Sequence, residues 1–164
     1  MKLSVVWVGR TKDRRIEALA QETVEKIGRY CRIAIVEVKD SSLAGKGASN
    51  RPVEEGARVL KTLRPGERVI ALDEGGREMR SVEFAGFLGK AMESTPAGVR
   101  IILGGPFGLS EAVLKAAGHR ISLSRMTFTH EMARLVALEQ IYRAFTILRG
   151  EGYHHGSKTT GETV

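Results

Sequence analysis

Residues 101–110 read IILGGPFGLS, an apolar run that stops at a glycine-rich segment. The apolar part predicts a buried strand, and the glycine-rich part predicts a loop that leads into a helix. Two similar strand ends occur nearby, VIALDEGG at 69–76 and ISLSRMTF at 121–128. Open α/β sheets bind ligands beyond the carboxyl ends of their strands. The three ends together therefore predict a ligand cleft in the second half of the chain.

The whole chain alternates between strand and helix patterns. Strands are predicted at residues 3–8, 32–38, 68–72, 99–103 and 121–123, with helices between them and a last helix over 130–148. This alternation predicts an α/β fold with a mostly parallel sheet of about five strands and helices on both faces. Pro52 suits the first turn of the helix before the third strand, and Val53, Ala57 and Leu60 are expected to form its inner face.

Composition and charge narrow the class of protein. The chain has 164 residues, a formal net charge of +7 and a pI near 9.9, so its surface should attract polyanions such as nucleic acids. Cys31 is the single cysteine, so an intrachain disulfide is excluded. Its side chain is expected to be a small buried apolar group rather than a nucleophile. No apolar run approaches the roughly 18 residues of a membrane span, and no signal peptide is evident. We expect a soluble cytoplasmic protein with one domain over 1–155 and a disordered tail over 156–164.

The last predicted helix is apolar on more than one side. Its apolar residues are Met132, Leu135, Val136, Leu138, Ile141, Tyr142, Phe145 and Leu148. Such a helix needs two partners, of which the sheet is one. The expected second partner is the same helix of another copy in an isologous dimer, because five short strands leave little else to cover that side. The alternative is a helix fully buried within the monomer.

The glycine-rich loop at 104–108 does not match phosphate-binding motifs. It is neither G-x-G-x-x-G nor G-x-x-x-x-G-K-[ST], and Pro106 removes a backbone N–H that a phosphate would use. A neutral or cationic ligand held by backbone carbonyls and apolar walls fits better; tight turns without a ligand are an equal alternative. The expected walls are Leu72, Leu103, Leu123, Met126 and Phe128. No metal is expected, because the histidines lack ligand spacing.

Several motifs together resemble one known family. They are Leu72-Asp73, LGGP at 103–106 with GLS at 108–110, LSRMTF at 123–128, and EQIYRA at 139–144 with a terminal GYH at 152–154. From Met1 to about His154 the chain resembles the RlmH (YbeA) family of SPOUT-class methyltransferases. The resemblance implies methylation that depends on S-adenosylmethionine. The implied target is N3 of a pseudouridine in 23S ribosomal RNA of assembled ribosomes, position 1915 in the reference RNA numbering.

The resemblance also implies a homodimer and a trefoil knot near the C-terminus, an exception to the rule against knots. The knotted loops would hold the cofactor. Carried over residue by residue, the cofactor contacts would be Leu72, Gly104, Leu123, Ser124, Arg125, Met126, Thr127 and Phe128. A sulfonium is a cation, so a loop without phosphate donors suits it. The implied partners are ribosomal RNA and a second copy of the chain, with no membrane and no metal.

The target nitrogen N3 carries a proton at neutral pH, so the reaction needs a base or a group that stabilises the anion. The candidates are His154, Arg134, Arg143 and Glu139, together with Tyr153 beside His154. The arginines could hold RNA phosphate or the deprotonated base, with solvated helix charges as an equal alternative. Glu139 is expected to be the structural partner of an arginine. Tyr153 and His154 are expected to fold over the active site, in their own or the neighbouring subunit.

Two positions depart from the family pattern. Thr129 stands where the family usually has proline, before His130, which is expected to cap or pack the last helix. Phe107 stands where a polar residue is common, at the rim of the cofactor pocket. Two other function classes stay open from the residues alone. One is a noncatalytic ribosome-binding or assembly protein with the same fold, and the other is an α/β enzyme that acts on a small nucleotide.

Overall fold

The computed structural model describes residues 1–41 and 51–152 of the chain. Within these two ranges strands and helices alternate as predicted. Their bounds are β1 Lys2–Val8, α1 Arg14–Gly28, β2 Arg32–Val38, α2 Arg51–Leu60, β3 Arg68–Glu78, α3 Ser81–Ser94, β4 Val99–Leu103, α4 Glu111–Ala116, β5 His119–Ser122 and α5 His130–Leu148. The predicted tail at 156–164 and residues 42–50 of the glycine- and serine-rich loop lie outside the described residues.

The five strands form one sheet in the order β2-β1-β4-β3-β5, and every neighbouring pair is parallel. The central strand β4 is buried along its whole length. A strand that is covered on both faces needs apolar residues on both, which explains its continuous run of branched side chains. Arg100 is the charged residue in this strand, and Glu67 holds its Nε at 2.6 Å and its Nη2 at 3.0 Å. The predicted parallel sheet is confirmed.

Helices cover both faces of the sheet, as predicted. Alternation along β1 separates the two layers, because successive side chains of a strand point to opposite faces. Val5 and Trp7 belong to the larger core, which α1, α3 and α5 cover. Val6 and Val8 belong to the smaller core, which α2 and α4 cover. None of the helices in the described ranges is long and apolar enough to cross a bilayer.

Strand β3 is longer than predicted, because it leaves the sheet and returns to it. Leu72 pairs with Ile121 of β5, and Arg77 then pairs with the same residue, so the residues between them bulge out of the ladder. Gly76 lies so close to β5 that a Cβ there would stand 2.5 Å from the carbonyl carbon of Ile121. The two glycines read as a strand end in the sequence, whereas the structure uses them for a bulge beside the cleft.

Helix α5 lies over the sheet between α1 and α3, which pack against its two sides. The ring of Phe145 stacks on Tyr30, which follows α1, at 5.5 Å between centroids, and Leu148 packs against Gly89 of α3. The expectation that little in the monomer could cover its second side is therefore wrong. The two apolar sides do not by themselves require a second copy, and the homodimer stays a prediction.

Candidate cofactor-binding site

The carboxyl ends of β3, β4 and β5 are neighbours in the sheet, and their loops enclose a pocket of about 650 Å³. Its lining comes from residues 72–74, 103–109, 122–124 and 126–129, and His130 and Ala133 of α5 complete it. A pocket of this size suits a small-molecule ligand. The three strand ends that the sequence marks with glycine or serine thus meet at one edge.

The loop after β4 is held in shape by its own backbone. Gly108 has a φ of +75°, and its N–H donates to the carbonyl of Gly105 at 3.0 Å. A Cβ on Gly104 would lie 2.5 Å from the carbonyl carbon of Gly108, so no other residue fits that position without moving the loop. The tight turn and the ligand cleft, which were alternatives in the sequence, are both present. A side chain at Gly104 would first meet the loop itself.

Helix α2 supports this loop from the other side. The guanidinium of Arg51 stands 5.0 Å from the centre of the Phe107 ring, and Gly56 packs directly against Ser110. The carboxylate of Glu55 is buried beside Gly105, and it accepts hydrogen bonds from the backbone N–H and the hydroxyl of Ser41, both at 3.0 Å. These residues fix the loop through close packing and a buried polar contact.

The predicted inner face of α2 is wrong in part. Val53 is 64% exposed and Ala57 is exposed, whereas Glu55, Gly56 and Val59 are buried. Apolar spacing identifies an inner face only where the partner surface is apolar. Here the helix faces a turn of backbone and the hydroxyl of Ser110, so a small residue and a hydrogen-bonding one serve better.

The rim of the pocket presents apolar side chains to solvent. Met126 is 77% exposed, Phe107 45% and Phe128 43%. The backbone beneath them is ordered by serines, since Ser124 Oγ accepts from Met126 N at 2.9 Å and Ser122 Oγ donates to the Ser124 carbonyl at 2.9 Å. Exposed apolar side chains gathered around a pocket are typical of a ligand site.

The predicted cofactor residues divide into two groups. Seven of the eight line the pocket, namely Leu72, Gly104, Leu123, Ser124, Met126, Thr127 and Phe128. The side chain of Arg125 instead lies on the outer surface, 88% exposed, where its Nε stands 3.0 Å from Glu78. The contact of Arg125 with a cofactor stays a prediction. With the side chain in this position, only the backbone of Arg125 could make that contact.

A polar acceptor at the pocket was missed as a site residue. The carboxylate of Asp73 lines the pocket and is held by Arg120 Nη2 at 2.5 Å and by Gly75 N at 3.1 Å. A carboxylate at the end of a parallel strand is placed to accept hydrogen bonds from ligand hydroxyls or amines. Its position directly after an apolar strand is the sequence signal that could have found it.

The first turn of α5 joins the pocket to the loop after β1. Thr129 caps the helix, and its hydroxyl accepts a hydrogen bond from Met132 N at 3.4 Å. His130 lines the pocket, and burial together with the charge of Arg134 lowers its pKa below the ordinary value. An imidazole in this environment is neutral at pH 7.

Arg134 is buried, with only 1% of its surface exposed. Its guanidinium donates to the carbonyl of Val8 at 2.6 Å and to Thr11 Oγ1 at 2.9 Å, and it stands 5.4 Å from the centre of the Trp7 ring. Burial lowers the pKa of Arg134, while nearby carboxylates, Glu131 first, oppose that effect. In the single chain this residue holds the end of β1 and is not presented to an RNA.

The remaining catalytic candidates lie away from the pocket or outside the described residues. Arg143 pairs with Glu139 at 2.6 Å, which confirms Glu139 as the structural partner of an arginine. Ala133 is the residue furthest along α5 that lines the pocket, and Arg143 lies about 15 Å beyond it along the helix axis. Tyr153 and His154 fall outside the described residues, and no group of metal-ligating side chains occurs within them.

Comparison with known proteins identifies the class. A family model described as "Predicted SPOUT methyltransferase" matches residues 1–154, so the chain belongs to the SPOUT methyltransferases. Solved structures agree on the fold alone. A probable methyltransferase from Bordetella pertussis Tohama I superposes with a TM-score of 0.55 at 15% identity, over 87% of this chain and 93% of that one. A probable methylase family protein from Haemophilus influenzae Rd KW20 gives 0.53 at 14%, over 96% and 72%.

Similar sequences define the family more narrowly. A protein from Trichlorobacter lovleyi named "Ribosomal RNA large subunit methyltransferase H" is 44% identical over 155 residues, which are 94% of this chain and 100% of that protein. A protein of the same name from Parabacteroides distasonis is 38% identical over 156 residues, 94% of this chain and 99% of that one. The chain is a member of the ribosomal RNA large subunit methyltransferase H family, and the resemblance drawn from its loops is confirmed.

Proposed function

We propose that this chain transfers a methyl group from S-adenosylmethionine to N3 of a pseudouridine in 23S ribosomal RNA of assembled ribosomes, position 1915 in the reference numbering. The observation that carries the proposal is the pocket at the meeting point of three strand ends, in a chain 44% identical to a protein named for methylation of large-subunit ribosomal RNA. An enzyme with this substrate works in the cytoplasm, where ribosomes are.

The residues of the pocket fit this cofactor. Its walls are apolar at Leu72, Leu123 and Met126, its loop offers backbone carbonyls, and Asp73 supplies a carboxylate. None of these features needs a phosphate, and all of them suit a nucleoside that carries a sulfonium. When bound, the cofactor supplies an electrophilic methyl group. The task of the chain is then to orient the two reactants and to exclude water.

Geometry argues that the terminal Tyr153 and His154 serve the pocket of another subunit. The start of the tail is fixed at the far end of α5, where Glu151 N donates to the Thr146 carbonyl at 2.9 Å and Tyr30 Oη donates to the Glu151 carboxylate at 2.6 Å. From His130 at the pocket to Thr146 the helix rises about 24 Å. The residues from Glu151 to His154 can span at most about 11 Å.

In the chain's own subunit the tail is too short to reach the pocket, whereas in a homodimer the tail of one subunit would lie against the pocket of the other. In such a dimer, His154 of the partner subunit would accept the proton of N3, and Arg143 of the partner subunit would stabilise the negative charge that this leaves on the target base until the methyl group is transferred. Arg134, buried under β1, would act as a positioning residue. We also propose that the loops of the pocket form the trefoil knot implied by the family.

Methyl transfer tests the function directly. Purified chain, ribosomes from cells that lack the activity, and tritiated S-adenosylmethionine should give label in 23S ribosomal RNA, and mass mapping should place it on a single pseudouridine. Cells with and without the protein provide the matched comparison. Ribosome binding without methyl transfer would support the noncatalytic alternative, and activity on free nucleosides alone would support an enzyme of small nucleotides.

Mixing two inactive variants tests the shared site. Gly104→Ala damages the pocket and His154→Ala removes the tail group. After subunit exchange half of the dimers contain one copy of each, and one of their two sites is complete, so activity should return to about a quarter of the wild-type value. If each subunit used its own tail, no complete site would form and the mixture would stay inactive.

A further inference from the structure

The loop after β1 carries a group of exposed cations. Residues 9–15 read GRTKDRR, and Arg10, Lys12, Arg14 and Arg15 are all exposed. Arg15 pairs with Asp13 at 2.7 Å. Arg10, Lys12 and Arg14 make no side-chain hydrogen bond or ion pair with any residue in the part of the chain that the structure describes. We call these three side chains the basic loop.

The fold gains nothing from cations at this place. Arg14 is the first residue of α1, and the N-terminus of a helix carries positive partial charge, which disfavours a cation. Three like charges within five residues also repel one another. Charges that the fold itself does not neutralise attract ligands of opposite sign.

The backbone under the basic loop is fixed with respect to the pocket. Glu131 of α5 accepts hydrogen bonds from the N–H groups of Lys12 at 2.9 Å and Asp13 at 3.0 Å. Arg134, one turn further along α5, holds the carbonyl of Val8 and the hydroxyl of Thr11. The same helical turn presents His130 and Ala133 to the pocket. Loop and pocket are therefore joined through one rigid element.

The basic loop also lies close to the pocket. It follows the carboxyl end of β1, and β1 neighbours β4, whose own loop encloses the pocket. The charge of Lys12 contributes to the lowered pKa of His130, after burial and Arg134. An extended polyanion whose reacting nucleotide enters the pocket would pass over these side chains.

We propose that Arg10, Lys12 and Arg14 bind backbone phosphates of the ribosomal RNA strand that flanks the target nucleotide. This inference rests on the proposed function and adds a docking surface to it. Guanidinium and ammonium groups on a fixed backbone bind phosphates without reading sequence, and they set the register of the strand over the site. Glu131 and Arg134 are positioning residues, because they act through the loop that they hold.

The test compares two triple variants of the full chain with equal loss of charge. The first replaces Arg10, Lys12 and Arg14 by Gln. The matched control replaces Lys2, Lys61 and Lys90 by Gln. These exposed residues lie at the opposite edge of the sheet, and their side chains make no hydrogen bond or ion pair with any residue of the described ranges. Binding to ribosomes is measured by sedimentation between about 50 and 200 mM salt, and cofactor affinity is measured by calorimetry.

The basic-loop variant should bind ribosomes roughly tenfold or more weakly at physiological salt, and the slope of log K against log salt should fall by about 2, since each phosphate contact contributes about 0.7 on a single strand. The control should keep the wild-type slope, and both variants should bind S-adenosylmethionine within about twofold of wild type. The charge-preserving variant R10K/K12R/R14K should restore the slope.

Equal slopes and affinities for the two triple variants would overturn the proposal. Loss of cofactor affinity in the basic-loop variant would also overturn it, because the loop would then be structural. Failure of the proposed function is distinguishable, since ribosome binding is measured without methyl transfer. If the wild-type chain transfers no methyl group, but the basic-loop variant still shows the reduced salt slope, the proposed enzyme activity is contradicted and the docking surface is supported.

Discussion

Two loops at the carboxyl edge of the sheet are built in opposite ways. The loop after β4 takes its shape from its own backbone, because a Cβ on Gly104 would collide with Gly108. The loop after β1 takes its shape from distant side chains, since Glu131 and Arg134 of α5 hold its amides, a carbonyl and a hydroxyl. The first leaves apolar space for a small ligand, and the second displays charge for a polymer.

This difference tells where each loop is vulnerable. The loop after β4 should lose its conformation when a side-chain atom is added at Gly104. The loop after β1 should lose its conformation when a hydrogen bond from a residue of α5, far away in the sequence, is removed. It also explains why the loop after β4 can be recognised from the local sequence, whereas the hydrogen bonds from Glu131 and Arg134 to the loop after β1 cannot.

Gly104→Ala should have the largest effect on cofactor affinity. The added methyl group meets the backbone of Gly108, so the loop must move and the affinity for S-adenosylmethionine should fall roughly 100-fold or more, about 2.7 kcal/mol. Calorimetric titration measures the change. Gly86→Ala on α3 is the matched control, because its Cβ would meet nothing within 4 Å. Wild-type affinity in Gly104→Ala would refute the assignment of this loop to the cofactor.

Arg134→Met should destabilise the chain by roughly 2–4 kcal/mol, because the carbonyl of Val8 and the hydroxyl of Thr11 lose their donor in a buried place. Denaturant unfolding measures the loss, with Arg149→Met on the exposed end of α5 as the control. The salt slope of ribosome binding should fall as well, because the basic loop is no longer held. Arg134→Lys should recover part of both. An unchanged salt slope would mean that the loop keeps its position without this tether.

Glu131→Gln should cost about 1–2 kcal/mol at pH 7. The N–H groups of Asp13 and Lys12 lower the pKa of Glu131, so its contribution to stability is present above the ordinary value of 4.5 and is lost as the pH falls through the folded-state pKa. Unfolding curves of wild type and variant should therefore converge below about pH 4.5. If the difference in free energy of unfolding between wild type and variant stays constant down to pH 3, the charge of the carboxylate contributes nothing to stability.

Phe107→Leu should have the smallest effect. It removes the ring beneath the guanidinium of Arg51, an interaction worth roughly 0.5–1 kcal/mol at a partly exposed site, so cofactor affinity should fall less than about fivefold. Phe107→Tyr keeps the ring and should bind as wild type does. A loss as large as that of Gly104→Ala would mean that side chains, and not the backbone, set the shape of this loop.

The sequence predicted the features that depend on local pattern. Continuous apolar runs gave the buried strands, and the alternation with helices gave a parallel sheet covered on both faces, because each pattern reports how many sides of an element avoid water. Glycines and serines after three strands gave the loops of the pocket, since those positions need close backbone approach or short hydrogen-bonding side chains.

Tertiary structure decided which surfaces meet. It buried Glu55 and Gly56 of α2 in place of Val53 and Ala57, because the facing surface is a backbone turn. It turned Arg125 outward to Glu78, and it placed Arg134 under β1, 126 residues from the carbonyl that it holds. Periodicity records the polarity of a face and not the identity of its partner, so contacts between residues far apart in the chain exist only after the sheet has brought them together.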